Sequence, residues 1–100
     1  MFLGRVVGTV VSTQKDPKLA GGKLLIVQHL TIDLEPAKTF AVAMDAVGAG
    51  TGEVVVCAAG SSARMTEVTE GLPVDTVILA IVDSLEIGGE IVFRKDGGEG

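Results

Sequence analysis

The sequence predicts an all-β domain, a small barrel of five or six short strands with one short helix. Val and Thr crowd the long apolar segments, and branched β-carbons suit a pleated surface while losing rotamer freedom in a helix. Gly and Pro punctuate the chain at short intervals, as tight turns between strands require. Phe40, Val42 and Met44 alternate with smaller residues, the period of a strand.

Leu3 to Thr13 reads as one long strand, with Gly4 and Gly8 marking bends or bulges where a barrel turns a corner. Asp16 to Gly22 is a loop, and Lys23 to Leu34 a second strand. Pro36 is expected to end that strand because it cannot donate to a ladder; Thr39 to Met44 forms the third. The turn Gly48-Ala49-Gly50-Thr51-Gly52 leads to a Val-rich fourth strand, Glu53 to Ala58. Gly60 to Met65 suits a single helical turn, with Ser61 or Ser62 expected to cap it. Glu70 to Pro73 is a loop, and the later part of Val74 to Leu85 a strand. Gly88-Gly89 between Leu85–Ile87 and Ile91–Phe93 signals a terminal hairpin. No internal repeat is present, and the pattern describes a Greek-key barrel of the OB type.

At 100 residues the chain is sized for one core, so residues 1–95 are expected to form one domain and 96–100 a frayed tail. Apolar residues make up 47% of the chain and aromatic residues only 3%. So much aliphatic surface is hard to cover within a small barrel, and part of it is expected to meet another subunit. A formal net charge of -5 opposes binding to phosphate backbones or anionic lipid. No apolar run approaches bilayer length, so no membrane is expected as a partner. Cys57 is the only cysteine, and the N-terminus lacks the pattern of a secretory leader, so a cytosolic setting is expected.

Candidate chemistry is sparse. His29 is the sole histidine and Cys57 the sole thiol, which leaves no zinc cluster within one chain and no catalytic pair with an orienting third group. The Gly48–Gly52 segment lacks the Lys-Ser/Thr of a phosphate-binding loop and precedes a strand, so it reads as a tight turn. Ser61 and Ser62 beside Arg64 have no base to activate them. Asp45, Asp75 and Asp83 interrupt apolar stretches; carboxylates there bond backbone amides or pair with arginine, for which Arg5 and Arg64 are available. No catalytic, metal-binding or cofactor-binding residue is assigned. A barrel binding single-stranded nucleic acid is the alternative, but it would need stacking aromatics in a basic groove.

Gly8-Thr9-Val10-Val11-Ser12-Thr13, Lys23 to Gln28, Asp45 to Glu53, Gly60-Ser61-Ser62-Ala63-Arg64, Pro73-Val74-Asp75 and Ile81-Val82-Asp83 occur in that order. Together they resemble the EutN/CcmL family of bacterial microcompartment vertex proteins, from Leu3 to about Arg94. The chain departs from some relatives at Val54-Val55, where an aromatic often follows the acidic residue, and after Arg94. The resemblance implies a non-enzymatic barrel that assembles into a ring-shaped homopentamer. Such a ring closes the corners of a shell built from hexameric tiles in the bacterial cytoplasm, because a flat hexagonal sheet needs a five-fold element to curve shut. It also implies a small axial opening outlined by loops, mapped onto Gly48, Ala49, Gly50, Thr51, Gly52, Gly60, Ser61, Ser62 and Arg64 as opening or subunit interface. The hairpin from Gly88 to Lys95 looks more like the catabolic, metabolosome branch than the carboxysome branch.

Overall fold

In the computed structural model, which describes residues 1–19 and 21–95, the Val-rich segments pair as the alternation demands. Strands β1 (Phe2–Val10), β2 (Leu24–Leu30), β3 (Pro36–Asp45), β4 (Val54–Ala59) and β5 (Thr76–Ile81) close a barrel in the order β1-β2-β3-β5-β4. β6 (Ser84–Ile87) and β7 (Glu90–Arg94) form a separate two-stranded sheet. The expected tail, 96–100, lies outside the described residues.

Inward side chains fill the barrel. Val6, Leu25, Val27, Val55, Cys57 and Ile78 are its centre, each at most 2% exposed. Gly4 faces this core, where a β-carbon would collide with the Val27 side chain, so β1 can approach β2 only with glycine there. The β1–β2 register shifts between Val6 and Gly8, which places the expected bulge at Val7.

Closure on the far side is slight. β3 runs antiparallel to β2 along its length but meets β5, in parallel, only through Met44–Val77 and Asp45–Ile78. A second apolar cluster lies outside the barrel, where Phe93 of β7 and Leu85 of β6 cover Val54, Val56 and Leu3. Gly88 and Gly89, with φ of 61° and 87°, give the hairpin the double positive-φ turn that matches strand twist.

Several expectations are corrected. β1 stops at Val10, and the exposed residues Val11 to Thr13 leave the ladder. β2 ends at Leu30, because the Thr31 hydroxyl accepts from the amides of Asp33 and Glu35 at 3.2 and 3.1 Å and turns the chain. Leu34 takes a φ of 66° in that turn. Pro36 therefore opens β3, opposite Leu30, a strand's first position where a missing N–H is tolerated. The loop after Asp16 holds a short 3-10 turn, Pro17–Leu19. The helical turn is a 3-10 helix, Gly60–Arg64, entered from Ala59 with no side-chain cap. Ser61 and Ser62 sit inside it, past the position from which a hydroxyl reaches free amides.

Candidate assembly surface

The two glycine-containing segments singled out from sequence are held by different means. Asp45 ends β3 and turns its carboxylate onto the amides that follow it. Val47 N and Gly48 N donate to Oδ1 at 3.0 Å each, and Ala49 N donates to Oδ2 at 3.0 Å. At the other end of the loop, Gly50 N donates to Glu53 Oε1 at 2.7 Å, and Glu53 Oε2 pairs with Lys95 Nζ at 2.6 Å. The Lys95 bond, then the Gly50 amide, hold the Glu53 carboxyl below the usual carboxylate range. Arg5 Nη1 donates to the Gly52 carbonyl at 2.8 Å, and Ala49 is buried in the barrel core. Amides that could cradle a phosphate are thus bonded to the chain's own carboxylates, which leaves a stiff turn.

The 3-10 helix is seated by packing. Ala63 is fully buried against Ala58 and Val77, and Ala46, at the start of the first loop, packs on the same cluster. Gly60 N donates to the Asp75 carbonyl at 2.8 Å, and Arg64 Nη1 donates to the Val74 carbonyl at 3.1 Å. Ser61 and Ser62 are exposed. Ser62 edges an apolar cleft of ≈ 300 Å³ shared with Met1, Ala58, Met65 and Leu79. Of the alternatives raised for the aspartates, Asp45 takes the amide route, while Arg5 and Arg64 bond carbonyls.

The remaining candidates have structural surroundings. Cys57 is buried, and burial pushes its thiol up to about 12, far from the thiolate a nucleophile needs. His29 stacks on Phe2 at 4.2 Å between ring centroids, and its Nδ1 lies 3.1 Å from Thr39 Oγ1. Of the three phenylalanines, Phe93 is buried and Phe2 half-buried against His29, leaving Phe40 in the open. That arrangement provides no row of rings on which bases could stack.

Two features escaped the sequence reading. One is the tie from Lys95 to Glu53, between residues far apart in sequence. The other is the outer face of β3, where Phe40 is 56% and Val42 52% exposed. The alternation placed both on one face, but only Met44 on that face is covered, beneath Leu19 and Gly22.

Comparison with known proteins follows the same outline. The family model described as "Ethanolamine utilisation protein EutN/carboxysome" matches residues 1–83. The chain belongs to this EutN/CcmL family. The vertex protein GrpN of Rhodospirillum rubrum is 46% identical over 86% of the chain and 97% of its own length. Its structure, described as a pentameric microcompartment shell protein, superposes with a TM-score of 0.80, covering 87% of this chain and 99% of GrpN. The structure of CcmL from Gloeobacter violaceus, named a carboxysome shell vertex protein, gives 0.91 at 40% identity, covering 95% of this chain and 98% of CcmL. The vertex protein EutN of Salmonella typhimurium is 43% identical over 95% of the chain and 96% of its own length. The EutN/CcmL barrel is accordingly a structural shell protein and not an enzyme. Carboxysome CcmL and ethanolamine-utilisation EutN match the same 95% share of the chain at similar identity, so coverage of the C-terminal segment does not divide the two branches.

Proposed function

We propose that five copies of this chain form a ring that closes a vertex of a polyhedral microcompartment shell in the bacterial cytoplasm, with its outer rim against hexameric tiles. The observation that carries this reading is the match to pentameric GrpN over 99% of that chain, with a TM-score of 0.80 and 46% identity. The exposed apolar side chains support it: Phe40, Val42, Met65, Val68, Ile91 and Val92 are each more than 40% exposed, more than an isolated barrel of this size needs to leave in water.

In this reading Gly48 to Gly52, with Gly60, Ser61, Ser62 and Arg64, lie toward the ring axis or the subunit contact. Both segments suit a fixed rim, since carboxylates stiffen one and Ala63 seats the other. Co-expression with a hexameric shell protein tests the function. Closed polyhedral particles are expected when the chain is present and open sheets or tubes when it is left out. Equal closure without it would overturn the vertex role.

A further inference from the structure

The family match ends at residue 83, just before β6. A pentameric relative is covered over 99% of its length by 87% of this chain. A ring of this fold therefore needs fewer residues than are present here, whereas the vertex proteins CcmL and EutN match 95% of the chain and share its longer C-terminal part.

The hairpin is fixed at its base and bare toward its tip. Phe93 and Leu85 sit in the outer apolar cluster, Lys95 bonds Glu53, and Lys95 N donates to the Asp83 carbonyl at 2.8 Å. Farther out, Ile87, Ile91 and Val92 are 43%, 51% and 46% exposed. Carboxylates lie across from two of them, with Glu86 opposite Ile91 and Glu90 opposite Ile87. A lone two-stranded ribbon gains little stability from its own pairing, and each of its strands keeps one outer edge.

β3 offers the complementary surface. Among the described residues it is bonded to β5 only at Met44 and Asp45, so Pro36 to Ala43 has one edge with no strand partner. Its outward row runs Lys38, Phe40 and Val42, all exposed. Pro36, Lys38 and the register shift opposite His29 blunt the first half of this edge against indiscriminate pairing. Phe40 and Val42 remain open beside Lys38, an apolar strip that suits a partner of opposite charge.

We propose that the β6–β7 hairpin of one copy docks along the β3 edge of a second copy, a clasp added to the ring contact. Ile91, which shares one face of the hairpin with Glu86, meets Phe40 and Val42, and Glu86 meets Lys38. This rests on the ring reading above. Geometry gives the direction: the hairpin covers β1 and β4, and in the order β1-β2-β3-β5-β4 the strand β3 is one strand removed from that seam on either side. Leu30 and Leu34 also pack in the outer apolar cluster, so the hairpin reaches the turn before β3, yet it leaves Phe40 and Val42 of its own copy 56% and 52% exposed, open to a neighbour's hairpin. Two different patches meeting head to tail is the arrangement that closes rings. Hairpins facing each other would instead bring Glu86 and Glu90 against like charge.

Cross-linking in a Cys57→Ala background tests the clasp. Copies carrying Phe40→Cys are co-assembled with copies carrying Ile91→Cys and treated with a short bismaleimide. A cross-linked dimer containing one copy of each is expected from the mixture and none from either variant alone. Phe40→Asp and Ile91→Asp should keep the ring by native mass spectrometry while exchanging subunits about tenfold faster, since interface changes act mainly on dissociation. Intact rings without the 40-to-91 product, or Ile91→Cys joined to itself, would overturn the clasp and leave the ring standing. An unassembled wild-type chain would overturn both.

Discussion

The wall of the barrel at β1 and β4 and the wall at β3 are made of the same kinds of residue, yet one is covered and the other is bare. Val54 is 1% exposed and lies against Phe93, itself 7% exposed, whereas Val42 and Phe40 on β3 stand at 52% and 56%. Local sequence does not make the difference; a hairpin contributed from the far end of the chain does. A barrel this small has one hairpin to spare, so one wall is covered within the subunit and the other stays exposed in the single chain. Incomplete burial in the single chain is what makes assembly favourable.

That contrast can be broken by substitution. The largest effect is expected from Phe93→Ala, which removes the ring covering Val54 and should lower folding stability by about 3 kcal/mol. Phe40→Ala on the bare wall should leave folding within about 0.5 kcal/mol of wild type while loosening the assembly. Urea denaturation at protein concentrations low enough to dissociate the ring reads both, and equal losses would erase the distinction between the walls. Next in size, Asp45→Ala frees the amides of Val47, Gly48 and Ala49 and should cost about 2 kcal/mol. Amide hydrogen exchange across 47–49 should rise in step, and unchanged protection there would mean the turn is held by something else.

The smallest effect concerns the tie between the hairpin and the first loop. Glu53 has a lowered folded-state pKa, caused first by Lys95 and then by the Gly50 amide. Its contribution is present above the unfolded carboxyl value and disappears as pH falls through the lowered folded one. Lys95→Ala should therefore narrow the gap in melting temperature between pH 6 and pH 3 relative to wild type. A gap of unchanged width would assign the acid sensitivity to other carboxylates.

The order of strands was legible because Val-rich runs and Gly or Pro breaks are local signals, and the Gly88-Gly89 turn is among the strongest of them. Strand ends were not: β2 yields at Leu30 to a turn organised by the Thr31 hydroxyl, although Ile32 and Leu34 continue the apolar pattern. Period two assigned Phe40 and Val42 to a common face without saying which face looks inward; that is set by closure of the barrel through Met44 and Asp45. The Ser61 cap failed because the 3-10 helix starts at Gly60, placing both serines within the turn. At the candidate rim, Asp45 stands out in the sequence because it interrupts an apolar stretch, with backbone amides or an arginine left open as its partner; the structure gives it the amides of Val47, Gly48 and Ala49. The Glu53–Lys95 pair joins the end of the Gly48–Gly52 turn to the residue after β7 and leaves no local trace.

Native mass spectrometry of the purified wild-type chain in dilute solution tests the central claim most directly. A single dominant species of five times the chain mass is expected. A stable monomer, or a closed assembly of any other number of copies under native conditions, would contradict it.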